Sequence, residues 1–269
     1  MEVVYVTEPL STAIPLAWPL PPSRVELAGD DVHVWSAWLG RAQAAYSAGL
    51  GMLSDDERTQ AARFHFEGDR KNFVARRSLL RAILGHYLNI EASQVSLAYE
   101  ERGKPRLAQP DSPAPLYFNC SHSRTLALIA VGRLAPLGVD VEQLRPMPEM
   151  AEIGATFCSA AENALLRAAP PERNLEVFFT IWTRKEAYLK ATGEGIANSL
   201  AQTDCSEAPP DWSFHALKPA PGFIGALACA GGESRPHCWQ WPRGNNSFVF
   251  DIPRSGVNNG VRTPNSAEM

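Results

Sequence analysis

Two carboxylates separated by a single residue occur in the short apolar segment LGVDVE, residues 137–142. Successive side chains of a β-strand point to opposite faces, so Val139 and Val141 would face the core while Asp140 and Glu142 share the other face. Carboxylates this close repel each other unless a cation or protons lie between them, and Mg²⁺ favours such oxygen ligands. The pattern indicates a metal site, and two solvated acids at a strand end are the alternative.

Helical spacing places a second pair of charged residues. Glu186 and Lys190 are four residues apart in a helix predicted from about residue 175 to 192 and ended by Gly193, so they share one face. Glu186 could supply a third carboxylate to a metal, and Lys190 could neutralise a phosphate or protonate a leaving group. The alternative is a surface ion pair worth about 0.2–0.5 kcal/mol. Lys185 is expected to face solvent or to touch substrate.

A polar turn is predicted in NCSHS, residues 119–123, after an apolar strand. Ser121 offers a hydroxyl and His122 an imidazole to an anionic ligand. The alternative is a tight turn capped by its own side chains. A serine hydrolase is a further alternative, but the chain has no G-x-S-x-G elbow, and adjacent Ser and His residues do not form a triad.

Cations form the remaining candidate group. Arg76 and Arg77 lie on a helix predicted for residues 73–88, and Lys104 lies in the tripeptide Gly-Lys-Pro. Arginine suits bidentate recognition of phosphate. A solvated helix face and a plain turn are the alternatives.

The elements that must position these groups fall into two similar sets, each with one long helix and several β segments. The sequence therefore predicts an α+β fold of two similar α/β halves, related by a pseudo-twofold axis, with the active site between them. The predicted boundaries are 1–135, 136–252 and a disordered tail, 253–269. Strands are predicted for 31–39, 116–131 as a strand–turn–strand unit, 137–142, 212–217, 225–230, 238–241 and 247–250, and short helices after Ser54 and Ser159.

Composition narrows the function classes. The 269 residues are 45% hydrophobic and 20% charged with a formal net charge of -4, which gives no basic footprint for nucleic acid or an anionic membrane. The five cysteines form no C-x-x-C pair, so neither a disulfide framework nor a zinc site is expected. The N-terminus has no signal-peptide pattern and no membrane span, so we expect a cytoplasmic protein.

Together and in order, these motifs resemble those of the 4′-phosphopantetheinyl transferase superfamily. The resemblance covers roughly residues 50–230, and the length and two-half organisation resemble the monomeric Sfp type rather than the short, trimeric holo-acyl-carrier-protein synthases. It is carried by the segments LYFNCSHS, LGVDVE and FFTIWTRKEAYLKATGEGI, with ARRSLLR and GKPRL upstream.

The resemblance implies transfer of the 4′-phosphopantetheine group of coenzyme A to a serine of an apo acyl or peptidyl carrier protein, with release of adenosine 3′,5′-bisphosphate. It implies that Mg²⁺ is held by Asp140, Glu142 and Glu186. Glu186 would also deprotonate the serine, and Lys190 would contact the phosphates and could protonate the leaving group.

The remaining family positions imply contacts with coenzyme A. Ser121 and His122 match residues beside the pyrophosphate and the 3′-phosphate, and Arg77 and Ser78 match the 3′-phosphate contact of the first half. The turn that lines the adenine matches Gly103, Lys104 and Pro105.

Two features fit the family pattern less closely. Phe157 and Glu162 resemble a Phe–Glu segment of the family, in which Glu162 is either functional or only structural. The helix after Ser54 lacks the lysines that some Sfp-type members carry there. The 3′-phosphate would then rely on Arg77 and His122, with Arg63, Arg70 or Arg76 as further candidates.

Two other functions stay open on sequence alone. One is a non-catalytic relative that binds carrier proteins. The other is a different Mg²⁺-dependent phosphoryl-transfer enzyme, such as a nuclease that uses the same three carboxylates.

Overall fold

The computed structural model describes residues 18–23, 25–39, 43–108, 115–134, 136–193, 200–232 and 234–242, without the side chains of 43–45. The predicted strand 247–250 and the predicted tail 253–269 lie outside these residues, as does position 135, where we set the boundary between the halves.

The described residues form nine strands and six α-helices. The strands are β1 (Asp31–Trp38), β2 (Leu97–Tyr99), β3 (Pro105–Leu107), β4 (Tyr117–Ser123), β5 (Leu126–Gly132), β6 (Leu137–Gln143), β7 (Trp212–Leu217), β8 (Phe223–Ala230) and β9 (Arg235–Gln240). The helices are α1 (Gln43–Met52), α2 (Asp55–Ala62), α3 (Glu67–Leu88), α4 (Met150–Phe157), α5 (Ala160–Ala168) and α6 (Asn174–Thr192), with 3₁₀ turns at Ala92–Gln94 and Pro171–Arg173.

The first half packs the long helix α3 against a four-stranded sheet of order β4-β5-β1-β9. β5 is antiparallel to both β4 and β1, whereas β9 returns from the far end of the chain to lie parallel to β1. Leu80, Ile83 and Leu84 of α3 pack on Trp35 and Ile129 of the sheet. The helix starts six residues before the predicted residue 73, because its first turns, EGDRKN, are polar and carry no apolar periodicity.

The second half repeats this plan with α6 on a three-stranded antiparallel sheet of order β6-β8-β7. Phe178 and Phe179 of α6 pack beside Ile224. The helix ends at Gly193, whose φ of 75° lies in the left-handed region that glycine adopts readily, as the sequence predicted.

The two sheets share one apolar core. Val34 and Leu128 of the first sheet belong to the same buried cluster as Val139 and Leu227 of the second. The predicted α+β fold of two similar halves is confirmed. β9, which the predicted boundaries assign to the second half, lies in the sheet of the first.

Among the helices of the described ranges, none combines the length and the apolar character needed to cross a membrane.

Candidate functional site

The candidate site lies where β4 of the first half runs beside β6 of the second. Alternating side chains of β4 bond to β6. Asn119 accepts from the Val139 amide (3.0 Å) and Ser121 donates to Asp140 (2.7 Å). Ser123 donates to Glu142 (2.7 Å) and accepts from the Gln143 amide (3.1 Å). The predicted turn at 119–123 is therefore wrong. These residues pair with β5 as strand, because a period of two places all three polar groups on one face, and the turn follows at residues 124–125.

A glycine brings helix α6 onto this junction. A Cβ atom added to Gly138 of β6 would stand 2.1 Å from the Ala187 carbonyl oxygen and 2.6 Å from the Ala191 amide nitrogen of α6. Helix and strand backbones are thus in direct contact at Gly138. As a result, the α6 face that carries Glu186 and Lys190 lies over the carboxylates of β6.

Lys190 and Asp140 form the closest polar contact of the site. Lys190 Nζ donates to Asp140 Oδ1 at 2.5 Å and to Ser121 Oγ at 2.9 Å, and the Ser121 hydroxyl donates to the same Asp140 oxygen. The Asp140 side chain is only 5% exposed, whereas that of Lys190 is 31% exposed. The ammonium is therefore the counter-ion of a nearly buried carboxylate.

Two carboxylate oxygens at this junction have no hydrogen-bond partner in the described structure. They are Asp140 Oδ2 and Glu186 Oε1, and both are buried. A buried acceptor without a partner is costly, and a divalent cation would satisfy both oxygens. The third predicted ligand, Glu142, accepts from Ser123 and lies 3.4 Å from Arg145. The donor chemistry fits Mg²⁺.

The carboxylates of Asp140, Glu142 and Glu186 are not arranged as a preformed metal site in the described structure. Within the described part of the chain, no group of three or more His, Cys, Asp or Glu residues is close enough to hold a metal ion. Burial raises the pKa of Asp140 despite the opposing effect of Lys190. Burial and then the Asp140 charge raise the pKa of Glu186, so this carboxylate is a stronger proton acceptor than a solvated one.

A cavity of about 240 Å³ opens beside this junction and mixes apolar and cationic walls. Its apolar lining includes Phe73, Leu80, Pro105, Ala127 and Ile129. Its polar lining consists of Arg76, Arg77, Cys120, Ser121 and His122. Such a pocket suits a ligand that joins a flat or apolar group to phosphates.

Arg76 and His122 contact each other in the lining of this cavity. Arg76 Nη1 lies 2.8 Å from His122 Nε2 and 3.1 Å from His122 Nδ1. Burial, and then the Arg76 charge, lowers the pKa of His122 to about 4. At neutral pH His122 is therefore an uncharged hydrogen-bonding group, and Arg76 supplies the positive charge. The sequence had named Arg76 only as one of several candidates.

Arg77 also reaches the cavity and is fixed from three sides. Its guanidinium lies over the Phe73 and Tyr99 rings, 5.7 and 5.4 Å from their centroids. It donates to the Tyr99 hydroxyl and lies 3.6 Å from Glu57 Oε1. Ser78, by contrast, does not line the cavity. It is buried inside the helix packing, and its hydroxyl donates to the Ala75 carbonyl of the same helix.

The Gly103-Lys104-Pro105 turn contacts the C-terminal end of helix α6. Gly103 has a φ of 81°, which the sharp turn between β2 and β3 requires. Lys104 Nζ donates to the carbonyls of Lys190 at 2.6 Å and Ala191 at 3.1 Å. Pro105 lines the cavity, so the proline faces the ligand space while the lysine caps helix α6.

The expectation for Lys185 is wrong. Its side chain has no exposure, and it forms an ion pair at 2.5 Å with Glu162, which is also fully buried. Lys185 Nζ further donates to the carbonyls of Phe157 and Leu200. Glu162 completes the Ser159 capping box of α5, so it is structural here. Adjacent helical residues point about 100° apart, so Lys185 is directed away from the Glu186 and Lys190 face, towards Glu162 and Phe157.

Sequence reasoning missed two residues that shape the site. Gly138 precedes the carboxylate pair by two positions, and a glycine inside an apolar strand signals a close backbone approach. Glu57 is 3% exposed and bonds to Arg81 at 2.6 Å while approaching Arg77. Its place in the Ser54 capping box indicated a helix start, but no local pattern indicates its arginine partners.

Two family models match this chain. Residues 36–133 match the family model described as "4'-phosphopantetheinyl transferase, N-terminal", and residues 136–227 match that of the "4'-phosphopantetheinyl transferase superfamily". The chain belongs to the 4′-phosphopantetheinyl transferase superfamily, which confirms the resemblance inferred from its motifs.

Individual relatives are similar over most or part of the chain. The 4'-phosphopantetheinyl transferase HetI of Nostoc sp. (strain PCC 7120) is 39% identical over 232 residues, which are 83% of this chain and 98% of HetI. The psf-1 transferase of Bacillus pumilus is 35% identical over 55% of this chain and 61% of its own length. Sfp of Bacillus subtilis (strain 168) is 27% identical over 56% of this chain and 65% of its own length.

Proposed function

We infer that this protein transfers the 4′-phosphopantetheine group of coenzyme A to a serine hydroxyl of an apo acyl or peptidyl carrier protein. The serine oxygen bonds to the phosphorus that carries the pantetheine arm, and the bond from that phosphorus to the bridging oxygen breaks. Adenosine 3′,5′-bisphosphate leaves, and the serine proton passes to a base.

The observation that carries this inference is the junction of β4, β6 and α6 beside the cavity. There Ser121, Asp140 and Lys190 share hydrogen bonds, and one buried carboxylate oxygen of Glu186 has no hydrogen-bond partner among the described residues. The anion-binding groups and the carboxylates thus meet in one place, in a chain whose family acts on coenzyme A.

Glu186 is the proposed base. Burial and the Asp140 charge raise the pKa of Glu186, which suits a group that must take a proton near neutral pH. Lys190 is the proposed phosphate contact on the leaving-group side. Its ammonium is partly exposed and one helical turn from Glu186, so both groups act from one face of α6.

The cavity is the proposed nucleotide site. Arg76 and Arg77 offer two guanidinium groups, and His122 and Ser121 add neutral hydrogen-bonding groups. We place the 3′-phosphate against this cationic wall and the adenine against the apolar wall that includes Pro105. Ser78, Gly103 and Lys104 remain part of the proposed coenzyme A site. In the structure the Ser78 hydroxyl donates to the Ala75 carbonyl and the Lys104 ammonium donates to the Lys190 carbonyl.

Mg²⁺ is the proposed metal, with Asp140, Glu142 and Glu186 as its protein ligands. When bound, it would neutralise negative charge on the diphosphate of coenzyme A. The chain's own contribution is to hold three carboxylates on β6 and α6 next to the cavity. A monomeric state, a cytoplasmic location and a division into two halves near residue 135 complete the proposal.

The test is mass spectrometry of a carrier protein after incubation with this protein, coenzyme A and Mg²⁺. We expect a gain of one phosphopantetheine on the apo carrier and none on a carrier whose acceptor serine is replaced by alanine. An unmodified carrier that binds tightly would instead support a non-catalytic carrier-binding protein. If the carrier is neither modified nor bound, the remaining alternative is a different phosphoryl-transfer activity.

Variants on one helix give the matched control. Glu186→Gln should lower turnover about 10²–10³-fold, as expected for deletion of a single transition-state interaction. Glu176→Gln removes a partly exposed carboxylate from the first turn of α6, where it lies 3.6–3.7 Å from Arg173 and Lys218, and should keep turnover. Equal turnover of both variants would contradict the assignment of Glu186.

A further inference from the structure

In this structure the counter-ion of Asp140 is the ammonium group of Lys190. Lys190 Nζ lies 2.5 Å from Asp140 Oδ1, and the Ser121 hydroxyl donates to the same oxygen. One oxygen of the carboxylate thus carries two donors, while Oδ2 has none in the described structure. A divalent cation that approached Oδ2 would meet an ammonium bonded to the same carboxylate.

Two cations on one buried carboxylate repel each other strongly, because the low local dielectric screens them poorly. The Asp140 side chain is 5% exposed, so water can separate the charges only slightly. With Lys190 in this position, no cluster of three ligands is assembled in the described part of the chain. Lys190 therefore opposes metal binding as long as it remains on Asp140.

The ammonium can leave this position more easily than the carboxylate. The Lys190 side chain is 31% exposed and flexible, whereas Asp140 is fixed on β6. The cavity that we assign to the nucleotide includes Ser121, the other partner of Lys190. A phosphate bound next to Ser121 would offer Lys190 a charged acceptor within reach, and Ser121 would still donate to Asp140.

We propose that Lys190 is an exchangeable counter-ion of Asp140: it neutralises the carboxylate in the ligand-free protein, and the diphosphate of coenzyme A draws it away. Divalent-cation binding and coenzyme A binding are then coupled through Lys190. This inference rests on the proposed function for the identity of the ligand. The contact between Lys190 and Asp140, and its effect on a metal alone, do not depend on it.

The experiment measures Mn²⁺ binding from the electron paramagnetic resonance signal of the free ion, in the absence of coenzyme A. Lys190→Met removes the competing ammonium, so we expect it to bind Mn²⁺ about 5–150-fold more tightly than the wild type, the usual range of coupling between two sites. Lys190→Arg keeps the charge and should bind Mn²⁺ as weakly as the wild type. Lys218→Met removes an equal charge far along the chain, next to Glu176, and should also leave the affinity unchanged.

Coenzyme A is then added to each variant. The wild type should bind Mn²⁺ more tightly with coenzyme A, and the factor of tightening should shrink in Lys190→Met. Adenosine 3′,5′-bisphosphate, which lacks the diphosphate, should have little effect. Circular dichroism of each variant checks that the fold is retained.

A Lys190→Met variant that folds but binds Mn²⁺ alone no more tightly than the wild type would overturn the inference. The proposed transferase function fails separately, if the wild type does not modify any carrier. If Lys190→Met binds Mn²⁺ more tightly but the wild type modifies no carrier, the counter-ion inference is supported and the transferase function is contradicted.

Discussion

Breaking the buried ion pair between Glu162 and Lys185 should destabilise the protein strongly. Both side chains are fully buried, and Nζ and Oε2 are 2.5 Å apart. Lys185 also donates to the carbonyls of Phe157 and Leu200, so each of its three N–H groups has an acceptor. Glu162 accepts from the Cys205 amide at 2.9 Å. Glu162→Gln keeps the shape but removes the charge opposite Lys185.

The magnitude follows from leaving one buried charge without its partner. Removing one member of a buried pair costs about 3–5 kcal/mol. For a chain of this size, about 1 kcal/mol shifts the melting temperature by about 2–4 °C, so we expect Glu162→Gln to lower it by about 6–20 °C. The double variant Glu162→Gln/Lys185→Met should be less destabilised than the sum of its single variants, because no charge is then left alone.

The assay is thermal and urea unfolding, with an exposed ion pair as control. Glu67 and Lys71 lie 2.6 Å apart on the surface of α3, with side-chain exposures of 64% and 31%. Such pairs contribute at most about 1 kcal/mol, so Glu67→Gln should shift the melting temperature only slightly. If Glu162→Gln is no less stable than Glu67→Gln, the buried pair does not stabilise the fold and our account of Lys185 is wrong.

Three further predictions concern the helix end, the sheet and the phosphate contact. Lys104→Met should cost about 1–2 kcal/mol in urea unfolding, because two carbonyls at the α6 terminus lose a cation, and Lys104→Arg should restore part of it. Burial lowers the pKa of His33 from 6.5 to about 4, so the contribution of His33 to stability is complete above pH 6.5 and is lost as the pH falls towards 4. His33→Gln should therefore reduce the difference in unfolding free energy between pH 7 and pH 5 by about 2 kcal/mol. An unchanged dependence of stability on pH in this variant would contradict the prediction. Lys190→Arg should keep measurable transfer while Lys190→Ala loses far more, and equal inactivity with normal coenzyme A binding would favour proton donation.

The architecture could be predicted because the sequence of each half contains the periodic hydrophobic patterns of its own strands and helices. Alternating polarity marked β6, and a 3.6-residue period ending at glycine marked α6. The pairing of β9 with β1 could not be predicted, since about 200 residues separate the two strands and no local pattern records a partner so distant.

Sequence reasoning placed Asp140 and Glu186 correctly on a strand and a helix, but it misjudged the neighbours of these residues. A residue's type does not reveal which neighbour it contacts. Lys185 and Lys190 are both lysines on α6, and only the rotation of the helix against β6 buries one and leaves the other at the site. That rotation is fixed by the Gly138 contact, which is tertiary packing.

The site belongs to neither half alone. The first half supplies Ser121 and the guanidinium of Arg76, whereas the second supplies Asp140, Glu186 and Lys190. Ser121 of β4, Asp140 of β6 and Lys190 of α6, which we propose for coenzyme A and metal binding, also hydrogen-bond to one another across the two halves. A ligand that bridges the two sets would therefore also bridge the two halves, and a shift of β4 against β6 would separate its phosphate contacts from its carboxylates. Because the shared apolar core of the two sheets resists such a shift, the packing that stabilises the fold also keeps the two sets of groups in register.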